Sequence, residues 1–218
     1  MSRRIVVLNP NSTQAVTDGL SAALDPLRIP GGPVVDCHTL TEGPPGIESD
    51  AHVAGVVEPL CRHFAAEEPQ TDAFVIACFS DPGLVEARKR IGRPVYGMAE
   101  CGMLTAMTRA ERFGVIAILE QSIPRHLRYI DRLGIRTRLA ADLPVGLGVT
   151  ELVDQARTFP RLVDVGRRLV GEHGAGAVVL GCAGMAPMRA ALEADLGVPV
   201  IDPAQAAVAM AVGALLVA

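Results

Sequence analysis

Short apolar runs rich in β-branched residues alternate with longer stretches of helical periodicity along almost the whole chain. The runs predict strands at residues 4–8, 34–38, 73–77, 95–96, 113–118, 136–140, 177–180 and 200–201. Between them the apolar positions predict helices over residues 11–24, 51–66, 82–91, 122–133, 150–172 and 186–196. Such alternation builds βαβ units and a mainly parallel sheet. Gly and Pro punctuate the joints, as at Ile91-Gly-Arg-Pro94 and Leu196-Gly-Val-Pro199. The apolar, Ala-rich segment 206–218 is too short to span a bilayer and suits a packed terminal helix.

The pattern occurs twice. Asp72-Ala-Phe-Val-Ile-Ala-Cys78 matches Gly176-Ala-Val-Val-Leu-Gly-Cys182, and each is followed by a helix-starting loop, a helix, a Gly-x-Pro-Val turn and a last strand. Arg4-Ile-Val-Val-Leu8 matches Arg112-Phe-Gly-Val-Ile116, which sets the repeat at about 108 residues. Two copies are too few for a solenoid. The predicted architecture is therefore α/β, with two pseudosymmetric lobes, each a mainly parallel sheet flanked by helices, facing one another across a cleft.

Composition narrows the class. Half of the 218 residues are hydrophobic and 20% are charged, while aromatics make up 3% with no Trp. The core must be aliphatic, as in helix-covered parallel sheets. A net charge of −4 gives no electrostatic reason to bind nucleic acid, and five Phe with two Tyr offer few stacking platforms. Arg125, Arg128 and Arg132, with Arg136 and Arg138 after them, fall at helical spacing and read as a solvated helix face. Arg3 and Arg4 precede only four apolar residues, too few for a signal-peptide core. The five cysteines make no CxxC and no zinc spacing, so free thiols in a reducing cytoplasm are expected, without metal, membrane or disulfide framework.

The repeat carries the chemistry. Each copy puts a cysteine directly after a buried strand and before a helix, where parallel sheets form their ligand crevice. A helix N-terminus offers N–H groups and partial positive charge, which favour a thiolate. Alone, Cys78 or Cys182 would read as a small core residue. At corresponding points of an internal repeat, the two come to opposite sides of one cleft. Facing thiols suit stereo-inversion at a C–H carbon: one thiolate takes the proton, a planar carbanion forms, and the opposite thiol returns a proton. Cys37, Cys61 and Cys101 have no such relationship. The five histidines show no partner pattern, and no nucleotide loop or Ser/His/Asp signature competes. Asn11 with Gln14 reads as a capping pair, Ser49 or Asp50 as a helix cap, and Asp81-Pro82 as an N-cap followed by Pro at N1.

Asn9-Pro-Asn-Ser-Thr13, Gly43-Pro-Pro-Gly-Ile-Glu-Ser49, Ala77-Cys-Phe-Ser-Asp-Pro-Gly83 and Gly181-Cys-Ala-Gly-Met185 occur in this order over the whole chain. In them the chain resembles the aspartate/glutamate racemase superfamily, within it the hydantoin and allantoin racemase branch. The resemblance implies cofactor-independent racemisation of a small-molecule substrate, catalytic thiols at Cys78 and Cys182, and a homo-oligomer. It implies substrate contacts at Asn11, Ile47, Phe79, Ser80, Gln121, Ala183 and Gly184. It also implies a first lobe of residues 1–98 plus 203–218, with the last helix returning to it, and a second lobe of 99–202.

The departures bear on the substrate. Amino-acid racemases of the superfamily follow their cysteines with Asn-Thr and Thr-His, polar groups suited to a zwitterion. Phe79-Ser80 and Ala183-Gly184 stand here instead and suit a neutral ring with carbonyls, a 5-substituted hydantoin before allantoin. Ser80 replaces a Gly common in the branch, and Leu119-Glu-Gln-Ser122 replaces a Thr/Ser-rich segment. Aspartate or glutamate racemisation is disfavoured by those followers, and malonate-type decarboxylation by the second thiol. A non-enzymatic small-molecule binder or thiol sensor is the alternative from another class.

Overall fold

The computed structural model describes residues 3–217. Its first half runs β1 (Arg4–Asn9), α1 (Gln14–Ala23), β2 (Val34–Thr39), α2 (Asp50–Gly55), α3 (Val57–Glu67), β3 (Ala73–Ile76), α4 (Leu84–Arg90) and β4 (Val95–Gly97). These strands form a parallel sheet in the order β2-β1-β3-β4. After α5 (Met98–Arg109) the second half runs β5 (Phe113–Ala117), α6 (Ile123–Arg132), β6 (Leu139–Pro144), α7 (Gln155–Gly171), β7 (Ala177–Leu180), α8 (Arg189–Leu196) and β8 (Val200–Ile201). Its parallel sheet has the same topology, β6-β5-β7-β8. The register repeats as well. Leu8 pairs with Ile76 in one sheet and Ile116 with Leu180 in the other, so Cys78 and Cys182 leave equivalent strands at equivalent points.

Side chains in the first sheet alternate as a two-residue period requires. Ile5, Val7, Ala73 and Val75 join the interior shared by the two lobes, while Val6, Leu8, Phe74 and Ile76 face Leu60 and Phe64 of α3 and Leu84 and Ala87 of α4.

Helix α5 follows β4 yet packs on β5, β7 and β8 of the other lobe, and α9 (Pro203–Val217) follows β8 yet packs on β1, β3 and β4. The two helices also pack on one another. Gly102 makes this possible, because a Cβ there would lie 2.5 Å from the Cβ of Pro203. Ala204, Ala207, Val208 and Ala211 line the buried side of α9. The apolar terminal segment is thus a packed helix that begins at Pro203; Ala218 lies outside the described residues. Among the described residues no helix is long and apolar enough to cross a membrane.

Several boundaries differ from the predicted ones for local reasons. The strand expected at 136–140 begins at Leu139, because Arg136–Arg138 form a 3₁₀ turn. It ends on Pro144, which an edge strand tolerates because one row of donors is unused there. The helix expected at 51–66 breaks at Val56 into α2 and α3. The helix expected from Pro82 starts at Leu84, with Gly83 at φ +69° as its N-cap, so Asp81 does not cap it. Helix 150–172 opens with a 3₁₀ turn at Glu151–Val153 and starts at Gln155, capped by Asp154. Helix 186–196 likewise starts at Arg189, after a 3₁₀ turn at Ala183–Met188. Ser49 does cap α2, its hydroxyl accepting from the His52 N–H.

Candidate active site

Both cysteine turns are built the same way. The last strand hydrogen bonds run from Ala77 N–H to the Leu8 carbonyl and from Gly181 N–H to the Ile116 carbonyl, each 2.9 Å. The turns then close from Asp81 N–H to the Cys78 carbonyl at 2.9 Å and from Met185 N–H to the Cys182 carbonyl at 3.1 Å. Gly181 is required by the close approach of β5: a Cβ would lie 2.4 Å from the Ile116 carbonyl oxygen. Each thiol accepts a backbone N–H from two residues on, Ser80 for Cys78 and Gly184 for Cys182.

Both sulfurs belong to one narrow cleft between the lobes. Apolar walls come from Val16, Ile47, Phe79, Ile118, Val149 and Ala183, and polar groups from Asn11, Ser80, Ser122, Arg125 and His126. Of the residues expected to contact substrate, Asn11, Ile47, Phe79, Ser80 and Ala183 are therefore in the cleft wall. Gly184 stands behind Cys182, against Leu152. Gln121 is exposed and outside the wall, its amide donating to the Glu48 carbonyl at 3.4 Å. Cys61 and Cys101 are buried and Cys37 is half-buried on β2, all away from the cleft.

The lobes meet crosswise here too. Helix α1 packs on the turn after Cys182, with Gly19 against Pro187, and α6 packs on the turn after Cys78. The two covering helices differ in polarity. From α6, the Arg125 Nε donates to the Ser80 hydroxyl at 2.9 Å and Tyr129 donates to Asp81 at 2.8 Å. The loop before α2 completes the wall, as Glu48 accepts the Val149 N–H at 2.8 Å.

Electrostatics separates the two thiols. Burial pushes Cys78 up to about 11, opposed by the N–H and hydroxyl of Ser80 and by the charge of Arg125. Burial pushes Cys182 up to about 12, opposed by the Gly184 N–H and reinforced by Cys78 and Glu48. Cys78 is thus the easier thiol to ionise, and the charge on either one resists charge on the other. Asp81 lies below, its carboxyl pushed up to about 7 by burial although it accepts from the N–H groups of Ala99 and Glu100 and from Tyr129. It is a cap after all, but of α5, and it holds a left-handed φ of +41° to reach it.

Three sequence readings need correction. Arg125 is not on a solvated face: its side chain is 11% exposed and turns into the cleft, although Arg128 at 61% fits the expectation. His126 does have a partner, with Nδ1 2.8 Å from Oδ2 of Asp142, and it is buried in the cleft wall. The pair is 16 residues apart in sequence and on different elements, so spacing gives no signal for it. Asn11 does not cap α1. Its Oδ1 accepts from the Thr13 N–H and Asn9, while Gln14 bonds Asp18 and Thr39. Among the described residues no group of three or more His, Cys, Asp or Glu is placed to hold a metal ion.

Comparisons agree with the geometry. The model of the Asp/Glu/hydantoin racemase family matches residues 5–211. The chain is 36% identical over 210 residues to the hydantoin racemase of Paenarthrobacter aurescens, covering 94% of this chain and 87% of that one. It is 38% identical over 214 residues to the hydantoin racemase of Rhizobium meliloti, covering 95% and 86%. The solved allantoin racemase from Klebsiella pneumoniae superposes with a TM-score of 0.94 at 33% identity, over 99% of this chain and 88% of that one.

Proposed function

Given that the chain belongs to the Asp/Glu/hydantoin racemase family and is a racemase, we propose that it inverts the C5 centre of 5-substituted hydantoins, with Cys78 and Cys182 as the two acid/bases. One observation carries this reading. Two thiols leave equivalent strands of a repeated unit and line a single, mostly apolar cleft from its two lobes.

The chemistry follows from that placement. C5 of a hydantoin bears its hydrogen beside the C4 carbonyl, so removing the proton yields an enolate. One thiolate takes the proton from one face, and the thiol on the other face delivers its own to C5. The ring leaves with inverted configuration and the two sulfurs have exchanged protonation states. Burial keeps both thiols neutral near pH 7, and Cys78, with Ser80 and Arg125 beside it, is the one that ionises first for the cycle to begin. The ring needs no charged partner for an ammonium or carboxylate of its own, which suits the apolar walls and the absence of polar residues after Cys182.

Allantoin, a hydantoin with a ureido group at C5, is the second reading. It is favoured by a groove that opens from the cleft past Ser80, Arg125 and Arg128, where a polar substituent would find donors. Polarimetry in metal-free buffer with 5-alkylhydantoins, allantoin, aspartate, glutamate and an arylmalonate separates these substrates. Loss of rotation from a hydantoin without loss from free amino acids is expected. Turnover of aspartate or glutamate alone would overturn the ring assignment.

A further inference from the structure

The cleft holds a group of side chains that two-thiol chemistry leaves unused. Ser122, Arg125 and His126 stand at i, i+3 and i+4 at the start of α6, so they share one face, and all three line the cleft. His126 is 4% exposed, with Nδ1 held by Asp142 of β6 at 2.8 Å and the ring meeting Phe79 edge to face at 5.1 Å. Among the described residues its Nε2 has no hydrogen-bond partner. The Ser122 hydroxyl is fully buried and unpartnered, and so is Oδ1 of Asp142.

These observations fit together through geometry. Asp142 occupies Nδ1 of the ring, and the ring lines the cleft, so Nε2 is the nitrogen left to donate to a ligand there. Such a donor is useful where negative charge develops on substrate. In the racemisation proposed above, that place is the carbonyl oxygen next to the carbon that loses its proton. Preorganised donors there act in a desolvated site and lower the barrier rather than tighten ground-state binding.

We propose that His126, oriented by Asp142, donates from Nε2 to the substrate carbonyl that becomes the enolate oxygen, with the Ser122 hydroxyl as a second donor at the same edge. His126 is then a catalytic residue and Asp142 a positioning residue. The assignment rests on reading the cleft as the racemase site, but it requires only a carbonyl beside the acidic C–H, not the hydantoin ring.

The test compares His126→Ala, His126→Gln and Asp142→Asn with the wild type on whichever substrate of the panel the wild type racemises. His126→Ala is expected to lower kcat about 100-fold with KM within about threefold, the range seen for loss of one such donor. His126→Gln keeps an N–H donor and is expected to recover part of that loss. Asp142→Asn leaves the ring without its carboxylate anchor and is expected to lower kcat by less than His126→Ala does, with KM within about threefold. Because either Ala or Asn could disturb the β6–α6 packing, melting temperatures accompany each rate. A 15N spectrum of the wild type is also recorded with 5,5-dimethylhydantoin, which has no C5 hydrogen to lose. Movement of the His126 Nε2 resonance on binding supports the role. A folded His126→Ala variant with wild-type kcat, or bound ligand that leaves that resonance unmoved, overturns it. Failure of the hydantoin reading shows differently, as a wild type inert to hydantoins and active on another member of the panel.

Discussion

Arg125 and Ser80 meet across the cleft, the guanidinium Nε of the second lobe donating to the hydroxyl of the first at 2.9 Å. Ser80 in turn donates to the Cys78 thiol through both its N–H and its hydroxyl. A cation of one lobe is thereby coupled through a single oxygen to the sulfur of the other. Cys182 has the Gly184 N–H instead and lies near Glu48, so the pseudosymmetric thiols sit in unequal fields.

That coupling predicts the effect of Ser80→Ala. Removing the hydroxyl relay takes away a charge-assisted hydrogen bond, and such a bond is worth about 1.5–3 kcal/mol, or roughly one to two pH units. Alkylation of Cys78 by iodoacetamide, followed against pH by mass spectrometry, should shift to higher pH by about that much. Cys182 should titrate as before, and an equal shift at both thiols would refute the relay.

The pH dependence of the rate follows from the same burial. With the thiols pushed up to about 11 and 12, the enzyme carrying one thiolate is scarce at neutral pH. It grows about tenfold per pH unit, so kcat/KM should climb from pH 7 toward pH 9. It turns over only when the pair as a whole loses its second proton. A flat profile over that span would exclude thiol bases.

Replacing Cys78 or Cys182 by Ser should abolish racemisation in both directions, because an alcohol is a far weaker base. The loss need not extend to proton abstraction by the remaining thiolate. In D2O each variant is expected to exchange the stereogenic hydrogen of one enantiomer only, with retention, and the two variants should choose opposite hands. Exchange of the same hand by both would show that the sulfurs do not face opposite sides of the ring.

Stability should also depend on pH through Asp202, which accepts from Ala204 N–H at the start of α9 and whose burial pushes its carboxyl up to about 6. A raised carboxyl makes the folded state hold its proton longer than the unfolded chain does. Unfolding free energy from this group therefore falls as pH rises from about 4 to about 6, and stays low above it. Asp202→Asn removes the ionisation but keeps an acceptor. Its melting temperature relative to wild type should be higher at pH 8 than at pH 4, and a difference of the opposite sign would contradict the assignment.

The repeat made much of this molecule readable. Two strand-Cys frames at a fixed offset were enough to infer two equal sheets and one cleft, because period-two burial and Gly/Pro joints survive in both copies. What escaped is what depends on the meeting of the copies. Helix α5 lacks a polar stripe, since Met98, Ala99, Cys101, Met103 and Ala106 are buried between lobes, so no amphipathic signal marks it. The face of α6 with Arg125 and His126 looks like any charged helix surface until the Cys78 turn is laid against it. Asp142 is a lone acid in an edge strand, and only the fold brings it to His126.

The crossing of α5 and α9 has a consequence for how the protein melts. Each lobe's sheet is covered by a helix that the chain reaches only after finishing the other lobe's partner strand. Loosening either lobe would strip Ala204, Ala207 and Val208 or Met98, Met103 and Ala106 from their cover. Neither half can therefore open as a separate cooperative unit while the other stays intact. Calorimetry should record one transition for the whole chain, and native-state hydrogen exchange should find β1, β3, β5 and β7 released together at that same free energy.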